Sequence, residues 1–307
     1  MAFGDQTYSA GDRRESLLSI LKDVSPNTDN YFTTNLGTAP AAKNTLHEWV
    51  TYNTARPTSV TNVIEGAAAT YGDLSRPVRT NNVTAIVSEP VRVSGTMKAV
   101  STATGEDPYT FQKQEALKRL KAQMEYITIN GVFASGDSGV ARQMTGFSKM
   151  ISTNVTARAS GTSFTETELN DIINDVWTQV GADYVSDLLA VPMVIKRRIS
   201  GFSTNLTRNV DASAKRLTQE VRVYDSQVGP SVMIIPHKDI NAAAGTLTVY
   251  ALREDTWKHS FLTGREPFFQ ELAQDGDRVN GQYIAEMTLV GYAQRASARR
   301  TGYGTTL

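Results

Sequence analysis

One short segment of the chain has residues that could perform nucleophilic chemistry. In Gly136-Asp137-Ser138-Gly139 a serine follows an aspartate and lies between glycines, a pattern found around the nucleophile of serine hydrolases. Acyl transfer by a serine needs a histidine base beside it and an acid that orients the histidine. The chain has 3 histidines, and none lies in the sequence context of such a base. We interpret the segment as a glycine-rich surface turn, and keep a serine hydrolase that uses Ser138 as an alternative.

The histidines give little support to a metal or cofactor site. His47 is followed by Glu48 but not by a second histidine three residues later, so the zinc-protease pattern fails. His237 and His259 lie in separate segments, without a surrounding cluster of acids. The chain also lacks cysteine and glycine-rich phosphate-binding motifs. The sequence therefore predicts neither a metal nor a cofactor.

The balance of charge gives no reason to expect strong binding to nucleic acid. Lysine plus arginine total 31, and aspartate plus glutamate also total 31, so no basic excess is available for phosphates. The one basic cluster lies between residues 196 and 222 and begins with Lys196-Arg197-Arg198. Because aromatic residues are not interleaved with it, we interpret it as a solvated face that pairs with acids of another subunit. Contact with DNA is expected to be weak and non-specific.

No membrane association is predicted either. The start of the chain, Met1 to Asp12, is polar and lacks the apolar core of a signal peptide. No apolar run reaches the length that spans a bilayer. These observations predict a soluble protein.

The clearest predicted element is a helix over residues 107–130. Asp107-Pro108 supplies an N-cap and a proline at the first helical position, and Gly131 ends the run. Apolar residues recur at three- and four-residue intervals and predict the side that packs on the core. These residues are Leu117, Leu120, Met124 and Ile127.

An arm and a long β-hairpin are predicted before this helix. Residues 1–44 are poor in apolar side chains apart from a short amphipathic stretch with Leu17 and Leu21, so we expect an arm that is ordered only by a neighbouring subunit. Residues 45–100 predict a hairpin with strands near 46–52 and 78–93. Its tip, Pro57 to Pro77, is polar and too long for a tight turn.

A mixed α+β region is predicted after the helix. Residues 165–180 have the N-terminal caps and apolar spacing of a second helix. Strands are predicted near 188–191, 219–224, 232–236 and 246–252, with a helix beginning at Pro192. A strand from Tyr283 to Ala293 is apolar on both faces in part, which favours the interior of a sheet. A polar, arginine-rich stretch covers 295–307.

This order of elements resembles the Hong Kong 97-type fold of the major capsid (major head) proteins of tailed bacteriophages. The resemblance covers roughly residues 15–300 and rests on the order of several short segments, each weak alone. The segments are Trp49, Glu65-Gly66-Ala67, Val93-Ser94-Gly95-Thr96, Glu125 to Gly131, Val194 to Phe202, Val221 to Tyr224 and Tyr283 to Tyr292.

The resemblance implies an α+β capsid fold with four parts. They are an N-terminal arm (1–44), an extended loop (45–100), a peripheral domain (101–164 and 263–307) that contains a spine helix (107–130), and an axial domain (165–262). With the hairpin starting near residue 45, no room remains for a fused scaffolding segment, so a separate scaffolding protein, or none, is implied.

The resemblance also implies a structural function and no enzyme activity. The chain would self-assemble, as hexamers and pentamers, into the icosahedral head shell that encloses double-stranded DNA. The shell would form in the host bacterial cytoplasm and become part of the virion, with a portal protein and a possible cementing protein as further partners. An encapsulin-like or accessory shell protein of the same fold is the main alternative.

The extended loop and the arm are expected to supply the contacts between subunits. A covalent isopeptide link between subunits needs a lysine amine, and the span from Asn44 to Met97 has no lysine. We therefore expect these contacts to be non-covalent. The residues predicted to make them are Leu17, Leu21, Trp49, Arg56, Glu65, Asp73, Arg76 and Arg79.

Overall fold

The structure, a computed structural model, describes residues 30–53, 56–60, 62–69, 71, 76–100, 107–202, 222–226, 231–240 and 246–305. Three of the predicted contact residues, Leu17, Leu21 and Asp73, lie outside the described residues. The same is true of most of the predicted basic cluster beyond Arg198.

Helices and strands alternate irregularly along the described chain, which confirms the α+β class. The helices are α1 (Tyr31–Asn35), α2 (Gly95–Ala99), α3 (Pro108–Asn130), α4 (Phe147–Met150), α5 (Glu166–Val180) and α6 (Met193–Phe202). The strands are β1 (Gly37–Thr38), β2 (Leu46–Thr51), β3 (Val78–Val83), β4 (Ala85–Ser94), β5 (Asn154–Thr162), β6 (Leu188–Val191), β7 (Val223–Asp225), β8 (Ser231–Pro236), β9 (Leu247–Leu252), β10 (Trp257–Phe261), β11 (Phe268–Leu272), β12 (Arg278–Gly291) and β13 (Ala298–Tyr303).

The long strand β12 organises a five-stranded sheet. β4 pairs with it antiparallel, from Ser94 opposite Arg278 to Ala85 opposite Met287. β10 and β11 pair antiparallel with consecutive stretches of β12, and β1 adds parallel to β10. β12 is buried throughout its second half, which confirms the predicted interior strand.

A six-stranded sheet has the order β5-β13-β9-β6-β8-β7. Its middle strands β6 and β9 are apolar at nearly every position, because both faces of this sheet are covered. Leu189 and Val191 of β6 pack with α5 and α6 on one face. Leu188 and Ala190, on the other face, join a core shared with the five-stranded sheet and α3. The two sheets are therefore held by one continuous apolar layer.

The predicted long helix is α3. Asp107 caps it by accepting a 3.1 Å hydrogen bond from the backbone N–H of Thr110. Leu120 and Met124 are fully buried, and Ile127 is half-buried against the same core. Leu117, the fourth predicted core residue, differs from the prediction. It is only half-buried and faces the segment that contains α1 across a cavity.

Leu120→Ala is expected to lower the free energy of unfolding of the free subunit by roughly 3 kcal/mol, since it leaves a cavity at a fully buried position. Urea unfolding followed by circular dichroism measures the loss. Tyr126→Ala, on the exposed side of the same helix, is the control and should cost less than about 1 kcal/mol. Equal losses in the two variants would show that α3 packs through a different face.

Residues 30–44 are an integral part of the fold. Phe32 is buried and packs edge-on against Phe147, with ring centroids 5.0 Å apart. Ala39 and Ala42 are buried as well, next to β10. The prediction that the arm depends on a neighbouring subunit for its order is therefore wrong for this stretch. Sparse apolar residues suffice here because nearly all of them point into the core.

The predicted hairpin is formed by β2 and β3, which pair from Leu46 opposite Val83 to Thr51 opposite Val78. The predicted descending strand is not continuous, because it divides at Thr84. Its second half, β4, belongs to the five-stranded sheet, and it tolerates Pro90 because β4 pairs with β12 alone among the described strands. The hairpin thus projects from a strand that is fixed in the sheet.

Candidate assembly surface

The tip of the β2–β3 hairpin exposes apolar side chains. Val60, Ile64 and Tyr71 are 84%, 85% and 92% exposed, and Val63 is 71% exposed. The prediction of a polar tip is therefore incomplete. Monomeric proteins rarely expose several large apolar side chains together, and such groups mark surfaces that are covered by a partner.

The predicted contact residues of the loop fall into two groups. Arg56, Glu65 and Arg76 are exposed, and Arg79 lies on the exposed face of the hairpin, 3.4 Å from Glu48. The prediction that Trp49 contacts a neighbouring subunit is wrong, because Trp49 is buried and its Nε1 donates a 2.9 Å hydrogen bond to the carbonyl of Gly291. Trp49 anchors the hairpin to β12 and is not available to a neighbour.

Asn82 fixes the base of the hairpin. Its side chain is fully buried, and its Nδ2 donates to the carbonyls of Leu289 (2.9 Å) and Thr145 (3.1 Å). Its Oδ1 accepts from the backbone N–H groups of Thr145 (2.8 Å) and Val83 (2.9 Å). Because donors and acceptor are all used, one amide locks β3 to β12 and to the loop after α3.

Glu286 on β12 reinforces the point where β3 becomes β4. This buried carboxylate accepts a 2.7 Å hydrogen bond from the hydroxyl of Thr84 and a 2.8 Å hydrogen bond from Arg142. Nε of Arg265 lies 2.8 Å from its second oxygen. Two guanidinium groups offset the cost of burying this charge. The exposed tip is thus carried on a rigid base.

Glu125 on α3 holds the N-terminal end of α1. Its fully buried carboxylate accepts hydrogen bonds from the N–H of Phe32 (2.8 Å) and from the N–H and hydroxyl of Thr33 (both 2.6 Å). His237 Nε2 lies 2.8 Å away. Since His237 Nδ1 accepts from the N–H of Asp239 (3.1 Å), the ring proton is on Nε2 and is donated to Glu125. One carboxylate thus joins three segments of the core.

Acid is expected to destabilise the free subunit at this joint. Burial lowers the pKa of His259 to about 4, against the weaker opposing effects of the Glu125 carboxylate and the Phe32 carbonyl. The unfolded chain therefore binds a proton that the folded subunit excludes, and stability falls as the pH drops below about 6.5. Burial alone would raise the pKa of Glu125, but its hydrogen bonds hold that pKa below the usual value, so its contribution is lost only in stronger acid.

His259→Phe is expected to remove up to about 3 kcal/mol of the stability change between about pH 6.5 and pH 4. Unfolding free energies measured in urea at several pH values give this slope. His47→Phe is the matched control, because His47 is also a histidine whose pKa is lowered by burial, but its side chain is only half-buried. An unchanged slope in the His259 variant would contradict the assignment.

The residues considered for catalysis are not brought together. Ser138 is exposed in the turn of a small hairpin bridged between Asp137 and Val140, whereas His237 and His259 are buried near Glu125. Within the described ranges, no group of three or more histidine or acidic residues could hold a metal ion. None of the described helices is long and apolar enough to cross a membrane.

The basic cluster is also different from its predicted form. Lys196 is buried and its Nζ donates a 3.0 Å hydrogen bond to the carbonyl of Ile234. Arg198 is buried as well, so of the first three residues Arg197 alone is exposed. The prediction of a solvated basic face is therefore wrong here, because two of these three side chains are buried.

The family of the chain follows from its sequence match along nearly the whole length. The family model described as SU10 major capsid protein matches residues 3–304. The chain belongs to the SU10 major capsid protein family. Members of this family are structural, so the SU10-family chain is a shell subunit of a bacteriophage capsid and a component of the virion. A search of curated proteins found no match.

Solved structures show that the SU10-family chain has the Hong Kong 97-type fold. The capsid of cyanophage A-1(L) has a TM-score of 0.66 at 11% identity, covering 95% of this chain and 97% of that one. The capsid of Myoviridae phage XM1 has a TM-score of 0.61 at 10% identity, covering 94% and 96%. The SrpI encapsulin of Synechococcus elongatus PCC 7942 has a TM-score of 0.61 at 12% identity, covering 100% and 98%. The encapsulin shares the fold, whereas the family match favours the phage capsid.

Proposed function

We propose that the β2–β3 hairpin forms the main contacts of each subunit with its neighbours in the shell. The observation that supports this most directly is the contrast between its base and its tip. The base is held by the buried side chains of Trp49, Asn82 and Glu286, while the tip exposes Val63 and Ile64. Fully burying one such aliphatic side chain contributes roughly 1.5–3 kcal/mol, so a covered tip would stabilise the shell at every copy.

Exposed charges of the hairpin would set the register of these contacts. Arg56, Glu65, Arg76 and Arg79 are the described members of the predicted set, and Asp73 belongs to it from the sequence. Each exposed ion pair contributes little free energy, so we propose that these charges determine the orientation and specificity of the contact. Burial of apolar side chains would supply most of its free energy. The absence of lysine between Asn44 and Met97 supports a non-covalent shell.

The double variant Val63→Ser plus Ile64→Ser is expected to abolish or strongly reduce shell formation while the subunit stays folded, because both side chains are exposed in the subunit alone. Electron microscopy and sedimentation of the expressed protein measure assembly, and thermal unfolding checks the fold. Ala68→Ser plus Ala69→Ser, at the same tip, is the matched control and should assemble normally. Shells of normal yield from the Val63 and Ile64 variant would refute the assignment of the tip.

The strand pairing favours a division of the chain that differs from the predicted boundaries. β5 and β13 fall within the predicted peripheral residues, but they pair in the six-stranded sheet with β9. β10 falls within the predicted axial residues, but it pairs with β12 in the five-stranded sheet. We therefore assign the six-stranded sheet with α5 and α6 to the axial domain, and the five-stranded sheet with α3 to the peripheral domain.

The finer parts of the function rest on the family and the charge pattern. Hexamers and pentamers of this subunit would enclose double-stranded DNA. The contacts of the shell with the DNA would be weak, because acidic and basic residues balance at 31 each. A separate scaffolding protein, a portal protein and a cementing protein are the proposed partners, and the host bacterial cytoplasm is the proposed place of assembly. We assign no catalytic role, and the exposed position of Ser138, away from the buried His237 and His259, supports this.

A further inference from the structure

A cavity of about 190 Å³ lies between the α1–β1 segment, α3 and β10. Its walls are mainly apolar. The apolar residues that line it are Leu36, Leu117, Leu120, Met124, Phe261 and Pro267. An apolar cavity of about 150 Å³ takes up benzene, so this one has room for a single ring with a small substituent.

His259 adds one buried polar group to this wall. The side chain is 3% exposed, and in the described part of the chain neither ring nitrogen makes a hydrogen bond of normal geometry. The carbonyl of Phe32 faces the ring and favours the N–H on that side. A neutral imidazole has one N–H and one acceptor nitrogen, so the second nitrogen is an acceptor that is available to a donor in the cavity.

The charges around the cavity favour a neutral ligand. The Glu125 carboxylate is close enough to act electrostatically on the imidazole of His259, and it would repel an anion. Lys121 also lines the cavity, but it is exposed, so solvent and salt screen its charge. Thr33 and Thr38 complete the lining with hydroxyl groups that suit a neutral polar substituent.

We propose that this cavity binds a phenol-type group, with the ring between Leu117 and Met124 and the hydroxyl donating to the imidazole of His259. The group arrives as a small free phenol or as a tyrosine side chain of a second copy of the chain, and both sources present the same chemistry. Because the α1–β1 segment and α3 form facing walls, an occupied cavity holds that segment against the helix.

Titration of the free subunit with p-cresol tests the proposal. Methyl NMR should show saturable shifts at Leu120 and Met124, and hydrogen exchange should slow at the amide of Leu36, which lies on the facing wall. His259→Phe keeps the ring volume and removes both nitrogens. This variant is expected to lower the affinity for p-cresol about fivefold, which is the effect of one neutral hydrogen bond. Its affinity for toluene should stay nearly unchanged.

Leu117→Trp places a larger side chain in the cavity wall while His259 is retained, and is expected to abolish the binding of both compounds. Tyr126→Trp, on the exposed side of α3, is the matched control and should bind normally. Absence of saturable shifts in the unmodified subunit, or equal p-cresol affinity after His259→Phe, overturns the proposal.

Assembled shells distinguish the two sources of the group. Shells that exclude p-cresol, although free subunits bind it, show that assembly closes or fills the cavity, as a tyrosine of a neighbouring copy would. Shells that bind p-cresol as tightly as free subunits show that the ligand is a small molecule. Both outcomes require binding by the free subunit, and its failure there rejects both.

Discussion

Glu125→Ala is expected to lower the free energy of unfolding of the subunit by about 5 kcal/mol. The change leaves the N–H groups of Phe32 and Thr33, the Thr33 hydroxyl and the ring N–H of His237 without their acceptor in a fully buried site. Whole domains are stable by only about 5–15 kcal/mol, so this variant should be close to unfolded or should release α1 from the core. Urea unfolding measures the first outcome, and hydrogen exchange at Phe32 and Thr33 measures the second.

Two substitutions on the same helix sharpen this test. Glu125→Gln keeps the volume and one acceptor oxygen, but turns an amide N–H₂ toward donors, and is expected to lose about half as much stability. Glu115→Ala removes an acid that pairs with Lys118 near the surface at 2.8 Å, and should cost less than about 1 kcal/mol. A Glu125→Ala loss no larger than that of Glu115→Ala would show that α1 is held by its apolar contacts alone.

Gly146→Ala is expected to cost about 4 kcal/mol through a backbone clash. Gly146 crosses Gly131 just beyond α3, and its N–H donates a 3.0 Å hydrogen bond to the carbonyl of Gly131. A Cβ at Gly146 would lie 2.7 Å from backbone atoms of Gly131, Ile127 and Thr128. These atoms belong to the end of the helix and cannot rotate away, so the loop that carries Arg142 and Thr145 to the hairpin base must shift.

Thermal and urea unfolding of the free subunit measure this loss, and shell yield measures its effect on the hairpin. Gly201→Ala is the control, because a Cβ there meets no described atom within 4 Å and the residue lies in α6. It should be neutral or stabilising by less than about 1 kcal/mol. Similar stability in the Gly146 and Gly201 variants would mean that the helix end and the loop separate more easily than their contact indicates.

Local patterns in the sequence predicted the elements that depend on local spacing. The N-cap and apolar repeat of α3 and the continuous apolar runs of β6 and β9 are visible within windows of a few residues. The polar, arginine-rich character of residues 295–307 does not predict a strand, yet this stretch contains β13. Arg300 is nevertheless buried, and pairs with Glu168 and Asp175 on α5, more than 120 residues earlier in the chain. Such pairing cannot be read from a local window.

Most of the residues that fix the assembly surface cannot be predicted from the sequence for the same reason. The sequence predicts Trp49 as a contact for a neighbour, because an aromatic residue in a hairpin gives no sign that its partner is Gly291. Glu286 did leave a signal, because a single charge within the apolar run of β12 indicates a buried and paired acid. The sequence signal at Glu125 is weaker, because it is only an acid next to Met124 on the buried side of α3.

The position of β13 constrains the time at which a subunit can join a shell. β13 is the last of the described strands, yet it lies between β5 and β9 and pairs with both. The gap between β5 and β9 in the six-stranded sheet therefore stays open until residue 303 has left the ribosome, because β5 pairs with a strand about 140 residues later in the chain. Pairings of such long range form slowly. Synthesis and sheet closure thus precede assembly, and an unfinished chain cannot enter the lattice with a completed six-stranded sheet.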